Sequence, residues 1–508
     1  MTIRVACLGG GPGGLFFATL LKRARPDIEV TVLERNQPGD AFGFGVVFSD
    51  RTLDRINAAD PVLRDALGRD GVHWDSLAVS VRGESATFAG NGMAAVHRRI
   101  LLRFLQQGAI DAGVDLRFGT EVRSLADLAE FDIVVGADGA NSRIREELEP
   151  ALGSTVETAI AKFIWFGTTH LFDRLSFLHR PSEHGNFAAH AYPIGQGLST
   201  FIVETDEDTW RAAGLDAFDV TAPPGASDPI SHAYLRELFR DDIQGADLVG
   251  NNSRWGNFRT RRTRTWHAGN VVLLGDAVHT AHFSVGSGTK MAMEDAIVLA
   301  REIAATPTDL ERAFERYEAE RQPEVARIQD AAGPSLSWWE HFGFYVDHLE
   351  PLDFAFHFFS RSIDIDRIRR RDPALADRVD ANWFVRHGAA PLDSPLAVGS
   401  GNVGRRLVLA DGSLADAAGT VLPAERVEVL TAPRDERAAA LLAPADARPV
   451  VVVEGGSAVT RSLVAERARL VHGRVAVIVD DALSDSEVAT LILSGRADAV
   501  ATRGHADV

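Results

Sequence analysis

The ten residues from Val5 to Gly14, VACLGGGPGG, constrain the fold more than any other stretch of the chain. An apolar run that reads as a buried strand enters a glycine-rich turn, and a helix pattern follows over Leu15–Arg25. Gly9, Gly11 and Gly14 satisfy G-x-G-x-x-G. In this spacing the first glycine allows the tight turn, the second lets backbone approach a pyrophosphate, and the third lets helix and strand pack closely. The helix N-terminus then faces the phosphate with unpaired N–H groups. A second strand pattern, Glu29–Leu33, ends in Glu34, 20 residues beyond Gly14, where an acid can hold a ribose hydroxyl. An acid there favours an unphosphorylated ribose, so FAD or NAD rather than NADP. The expected fold is therefore α/β, built on a Rossmann-like nucleotide-binding domain.

Two further segments share this character. In residues 131–143, FDIVVGADGANSR, a buried strand ends in a turn carrying Asp138 and Gly139. In residues 270–296, NVVLLGDAVHTAHFSVGSGTKMAMEDA, a strand ends at Gly275 and Asp276, and the loop Ser284–Gly288 opens a helix. Doubly wound folds bind ligands at the carboxyl ends of their strands. A helix N-terminus at this place stabilises negative charge, which suits an anionic reduced flavin.

Taken in order, residues 39–50 read as a close-packed loop, because three glycines sit among apolar residues. Leucines at 101, 102 and 105 fall at helical spacing after Arg98 and Arg99, placing an arginine at a helix start. Residues 160–205 alternate as strands separated by glycine turns and carry Trp165, Phe166, Phe187 and Tyr192. They form an expected mixed β-sheet inserted into the nucleotide domain. Its aromatic residues are either core or the wall of an aromatic pocket. The arginines over 254–264, Arg261 and Arg262 among them, are either the polar face of a strand or an anion site. The aromatic run SWWEHFGFYVDHLEPLDFAFHFFSRS caps the substrate domain, closes a pocket or forms a homodimer interface. After Phe384 there is no aromatic residue, which places a domain boundary at 386–400. The tail 401–508 ends in a β-α-β-α-β pattern, a small α/β domain.

Composition narrows the partners. A net charge of −18 over 508 residues argues against nucleic acid. No apolar run reaches the ~18 residues of a membrane span, and the N-terminus leads straight into the first strand, so neither membrane nor signal peptide is expected. Cys7 is the single cysteine, which fits a reducing, cytoplasmic setting and a core role. His279 and His282 have no companions at metal-ligand spacing, so no metal is expected.

The order LGGGPGG with Glu34, VVGADGANSRIR, then VVLLGDAVHTAHFSVGSGT resembles the group A FAD-dependent aromatic monooxygenases over about residues 1–385. Within that group, FIWFGTTHLFD and AHAYPIGQGLSTFIVET resemble the salicylyl-CoA 5-hydroxylase and anthraniloyl-CoA monooxygenase branch, with the tryptophan hydroxylases of violacein synthesis as a related branch. The resemblance implies that Gly9, Gly11, Gly14 and Glu34, with Gly13 and Arg35 beside them, take the ADP half of FAD. It implies that Arg98 contacts the flavin phosphates or ribityl. Asp138 and Gly139 fall in a motif used for FAD and NAD(P)H, Gly275 and Asp276 in one that holds the ribityl chain and pyrophosphate. Ser284–Thr289, with Gly286, Gly288 and Thr289, lies beside the ring.

The chemistry implied is reduction of FAD by NADH or NADPH, capture of O2 as a flavin C4a-hydroperoxide, and electrophilic hydroxylation of an aromatic ring. The substrate expected is an aryl-CoA thioester such as salicylyl-CoA, hydroxylated at its 5-position. His190 and His282 are the candidate general bases for a phenol. Trp165 and Tyr192 are candidate substrate contacts, and Arg261 and Arg262 candidates for CoA phosphates. A free aromatic, tryptophan-like or polyketide substrate stays open, as does a non-catalytic FAD-binding redox or partner module. The expected domains are a core over 1–385 (FAD-binding parts about 1–75, 95–155 and 255–330; sheet about 76–94 and 156–254; cap 331–385), a linker, and a tail. The tail segments GRRLVLAD and SEVATLILSGRADAVATRG resemble the beginning and end of an ene-reductase barrel, but a whole barrel needs ~250 residues, so a shortened remnant is expected.

Overall fold

The computed structural model describes residues 2–41, 43–218, 225–286 and 288–504. Phe42, in the glycine-rich segment 39–50, and Ser287, in the loop expected beside the ring, lie outside the described residues. The chain divides into two compact units, Met1–Leu77 with Asn91–Glu340, and Ala78–Gly90 with His341–Val508.

The first unit is built around strand Arg4–Leu8. It pairs in parallel with Glu29–Glu34 on one side and Ile133–Gly136 on the other, and Asp115–Phe118 and Val271–Leu273 extend the sheet. Val5, Ala6 and Cys7 are fully buried, as a strand covered on both faces requires. Helix Pro12–Ala24 begins three residues before the expected Leu15. Pro12 suits the first helical turn, where its missing N–H costs nothing. Gly13 and Gly14 thus lie inside the helix, and helix Gly288–Ala305 packs against it.

A second, antiparallel sheet joins Ser154–Thr168, Leu198–Thr205, Gly185–Gly195 and Leu175–Ser182 in that order. Strand Gly256–Thr263 pairs with the first of these. Strand parity sorts its side chains. Ile164, Phe166, Phe187, Phe201 and Val203 point to one face and pack with Leu235 and Phe239. Phe163, Trp165, His190, Tyr192 and Ile202 fall on the other face and line a cavity. A third sheet pairs Gly45–Ser49 with Met93–His97. Half of the expected loop 39–50 is therefore a strand. Close packing requires the glycine at position 45, where a Cβ would press on the Thr200 hydroxyl at 2.7 Å and the Tyr192 ring at 3.1 Å, whereas Gly39 and Gly43 have nothing within 4 Å.

The second unit corrects the boundary expected at 386–400. Strands Leu77–Val81 and Glu84–Phe88 run at the end of the substrate sheet, as expected, whereas helices Pro351–Phe359, Ile365–Arg371 and Pro373–His387 belong with the tail. The reason is a buried polar cluster. The Glu466 carboxylate accepts from Tyr345 Oη at 2.8 Å and contacts His357 Nε2 at 3.0 Å. Arg496 donates to Ser360 Oγ at 2.9 Å and to the His357 carbonyl at 2.8 Å. Burial, helped by Arg496, pushes the His357 pKa down to about 4, so a neutral imidazole meets the carboxylate. Separating such groups leaves buried charge unpaired.

The tail's sheet runs Val421–Leu422, Ser413–Asp416, Arg406–Ala410, Ala499–Arg503, Val475–Val479, Val450–Gly455, Val427–Ala432. The β-α-β-α-β pattern is present at its C-terminal end, and the strands between 406 and 432 add to it. Arg406–Ala410 lies parallel beside Ala499–Arg503, first against last. No described helix is long and apolar enough to cross a membrane.

Candidate functional site

Two adjoining cavities lie in the first unit, sharing Gly11, Ala137 and Gly139 in their walls. The smaller, of about 200 Å3, is bounded by Gly9, Glu34, Arg35, Asp138, Asn141 and Arg143. The larger, of about 840 Å3, holds Gly11, Gly13, Gly14, Arg98, Gly275, Asp276, Gly286, Gly288 and Thr289 on its walls. All the residues expected to meet FAD therefore border one extended groove.

The local structure explains why. Gly9 has φ +107°, and a Cβ on it would drive into the Ala137 backbone. Above Gly11 nothing lies within 4 Å of a built Cβ, leaving room for a ligand to approach the backbone. Glu34 Oε2 accepts from the Gly10 N–H at 2.6 Å, and Oε1 accepts from Asn36 N at 2.8 Å and Nδ2 at 2.7 Å. The acid thus braces the glycine turn as well as facing the smaller cavity. Arg145, buried, donates to the Ala277 carbonyl at 2.8 Å and to the Ala140 carbonyl at 3.0 Å. It ties the GADG turn to the GDA turn. Helices Pro12–Ala24 and Gly288–Ala305 both start at the larger cavity and present positive ends to it.

Arg98, rather than Arg99, is the arginine of the wall. Arg99 instead donates its backbone N–H to His97 Nδ1 at 3.1 Å. Burial lowers the Arg98 pKa, and the Asp276 and Tyr192 side chains oppose that. Burial likewise raises Asp276, against the pull of His279 and Arg98. An arginine and a carboxylate on one wall, two glycine turns and two helix N-termini fit the ribityl and pyrophosphate parts of FAD.

Behind this wall Asp295 holds the GDAVH turn. It accepts from the Gly275 N–H at 3.0 Å and Arg321 Nε at 2.8 Å, and contacts His279 Nε2 at 2.7 Å. His279 is thus a bracing residue of the turn.

The rest of the larger cavity is aromatic. Phe163, Trp165, Phe177, Tyr192, Phe258 and Phe283 line it with Met93, Leu175 and Ile202. The expected substrate contacts Trp165 and Tyr192 are both there. Tyr192 Oη donates to the Gly45 carbonyl at 3.3 Å, and burial pushes its pKa up to about 12, so it stays a neutral phenol. Arg261 and Arg262 are not on the cavity wall. Arg262 is committed to Gln329 Oε1 at 3.0 Å and Asp330 Oδ1 at 2.9 Å. The Arg261 guanidinium lies in the field of Glu149, Arg259 and Glu146.

His190 lines the cavity and His282 stands behind it. They converge on Glu204, which the sequence reading missed. His190 Nε2 lies 2.6 Å from Glu204 Oε1, and His282 Nε2 lies 3.9 Å from Glu204 Oε2. Glu204 is 1% exposed, and burial raises its pKa to about 7 against the pull of His282. The signal was available: Glu204 shares strand parity with Ile202, a cavity residue.

Residues 129–332 match the FAD binding domain family. The chain is 54% identical to the salicyloyl-CoA 5-hydroxylase of Streptomyces sp, over 98% of this chain and 99% of that protein. It is 37% identical to the 3-hydroxy-4-methyl-anthranilyl-[aryl-carrier protein] 5-monooxygenase of Streptosporangium sibiricum, over 66% of this chain and 89% of that one. Among solved structures, P. aeruginosa PqsL in complex with 2-aminobenzoylacetate superposes with a TM-score of 0.53 at 21% identity, covering 68% of this chain and 99% of that one. The identity over the full length, joined to a groove built for an extended dinucleotide and ending among aromatic rings, places the chain in the group A FAD-dependent aromatic monooxygenases.

Proposed function

We propose that the enzyme hydroxylates the 5-position of a 2-hydroxybenzoyl-CoA thioester, salicyloyl-CoA. The observation that carries this reading is the 54% identity across 98% of the chain, tail included, to a protein of that activity. The chemistry agrees. Both relatives are named for a benzoyl-type group attached to a carrier, CoA or an aryl-carrier protein, and both names place the reaction at position 5. In a 2-hydroxy or 2-amino benzoyl group, that carbon is para to the electron-donating substituent, where electrophilic attack is favoured.

FAD, when bound, supplies the reduced flavin that activates O2 with electrons from NAD(P)H. The chain's own residues bind, orient and exclude water. Gly9, Gly11, Gly13, Gly14, Glu34 and Arg35 hold the ADP half; Arg98, Asp138, Gly139, Gly275 and Asp276 hold the middle. Gly286, Gly288 and Thr289 seat the ring, with the positive end of helix Gly288–Ala305 favouring its reduced, anionic form. Phe163, Trp165, Phe177 and Phe283 form the apolar slot for the aryl group. His190 accepts the proton of the substrate hydroxyl, because it is the imidazole on the cavity wall. A phenolate is the stronger nucleophile at its para carbon. The tail is read as a shortened remnant of a barrel: in its open sheet Arg406–Ala410 lies parallel beside the last strand, Ala499–Arg503.

The test is NAD(P)H consumption coupled to product mass, with salicyloyl-CoA and free salicylate side by side. A hydroxylated thioester formed with near-stoichiometric NAD(P)H supports the reading. Faster coupled turnover of the free acid sinks it.

A further inference from the structure

The glutamate behind the cavity wall is used by none of the steps above. We propose that Glu204 is a positioning residue that binds the cavity-wall His190 to His282, so that the proton of a substrate hydroxyl ends on the His190–Glu204 pair. The inference rests on the reading of the substrate as a hydroxyaryl thioester.

Geometry carries the argument. Two imidazoles lie within 4 Å of the Glu204 carboxylate, His190 from strand Gly185–Gly195 and His282 from the loop before helix Gly288–Ala305. The strand neighbours in register with Glu204 are Phe163 and Ala188, which carry no charge. From helix Leu310–His348, Trp339 covers His190 at a ring distance of 4.1 Å, and Ser335 reaches the Ser284 hydroxyl at 2.9 Å. His282 Nδ1 accepts from the Ser284 N–H at 3.3 Å and lies 2.8 Å from its hydroxyl. A neutral His282 that accepts at Nδ1 carries its hydrogen on Nε2, the nitrogen facing Glu204. Ser284 itself lines the cavity. The wall is thus met at two points, His190 and Ser284, and Glu204 is the buried group both lead to.

A buried carboxylate between two imidazoles accepts a proton at small cost when burial and its neighbours bring its affinity near neutrality. Glu204 has that character, with a pKa near 7. The balance is simple: the substrate O–H bond breaks, the electron pair stays on oxygen, and the proton is shared by His190 and Glu204. No oxidant or further reactant enters this step.

The experiment is a pH titration of the bound thioester's phenolate absorbance on the FAD holoenzyme, for wild type and Glu204→Gln, with hydroxylation rates in parallel. Glutamine keeps the size and cannot hold the proton. The expected result is a rise of the bound phenol midpoint by about 1 pH unit or more, with kcat at neutral pH lower by about tenfold and KM within about twofold. FAD content and melting temperature stay at wild-type values. A midpoint and pH–rate profile matching wild type overturn the inference. If Glu204→Gln does not fold, His282→Gln and Glu204→Asp are read on the same titration. A midpoint raised in the first and near wild type in the second supports the coupling, and no movement in His282→Gln overturns it. A wild type that shows neither phenolate band nor hydroxylated thioester sinks the substrate reading instead, and this inference with it.

Discussion

Replacing Asp295 by Asn asks whether one buried carboxylate holds the GDAVH turn against the cofactor groove. Asp295 is fully buried and meets the Gly275 N–H, His279 and Arg321 at 3.0, 2.7 and 2.8 Å. Burial pushes its pKa up, yet the charges and hydrogen bonds of His279 and Arg321 win and bring it down to about 2. Measured from an ordinary value of 3.8, that is roughly two pH units, or about 2–3 kcal/mol of native-state stabilisation. The folded pKa is depressed, so this contribution is present above about pH 4 and is lost as pH falls towards 2. Asparagine keeps the shape but leaves the buried Arg321 with Glu294 at 3.3 Å and Glu324 as its remaining acids. Breaking a buried pair costs about 3–5 kcal/mol; with two acids still near, the expected loss is about 2–3 kcal/mol, or roughly 3–4 °C in melting temperature for a unit of this size. Thermal melts of the FAD-bound enzyme from pH 3 to 8, with released flavin read by fluorescence, check this. The variant should melt earlier at pH 7, release FAD sooner, and lose less than wild type on acidification. A variant melting within a degree or two of wild type, on the same acid limb, would refute the reasoning.

Other outcomes follow from single contacts. Gly9→Ala adds a Cβ against the Ala137 backbone at φ +107°, and should yield protein with little flavin absorbance; full flavin content would count against the turn's role. Arg262→Glu breaks an exposed pair with Asp330 worth about 0–1 kcal/mol. It should leave KM for the CoA thioester unchanged, whereas a rise for the thioester and not for the free acid would return this arginine to the substrate path. Truncation after residue 395 strips Glu466 and Arg496 from Tyr345, His357 and Ser360. The product should be insoluble or melt far below wild type, and a soluble truncation with the wild-type melt would show the cap to be independent of the tail.

What the sequence made legible follows from how locally each feature is determined. The glycine turns were readable because a positive φ and a close backbone approach are imposed within a few residues. Helical spacing placed an arginine at the helix start, and the family resemblance pointed to Arg98 over Arg99. The arginines over 254–264 were not, because charge alone does not say which face a strand turns inward. On strand Gly256–Thr263, Arg262 pairs with Asp330 of helix Leu310–His348. The domain boundary failed for a related reason. Loss of aromatic residues after Phe384 marks where ring packing stops, whereas the unit is closed by polar groups, Glu466 with Tyr345 and His357, that composition does not reveal.

Strand parity held more than was taken from it. Trp165 and Tyr192 were chosen as wall residues, and the same parity carries Phe163 on the first strand and His190 on the second. On the third, Ile202 faces the cavity, so an acid two residues later must share that side. A glutamate on the inner face of an otherwise apolar strand is costly unless something meets it, so Glu204 was itself a demand for a partner. The adjacent strand supplies His190, since His190 pairs with Ile202 in register and so stands diagonal to Glu204. His282 could not be found this way. It arrives from the loop between the third motif's strand and its helix, and only the tertiary fold brings that loop beside the sheet. One half of the pair was thus written in alternation, and the other depends on how the flavin-side loop meets the substrate sheet.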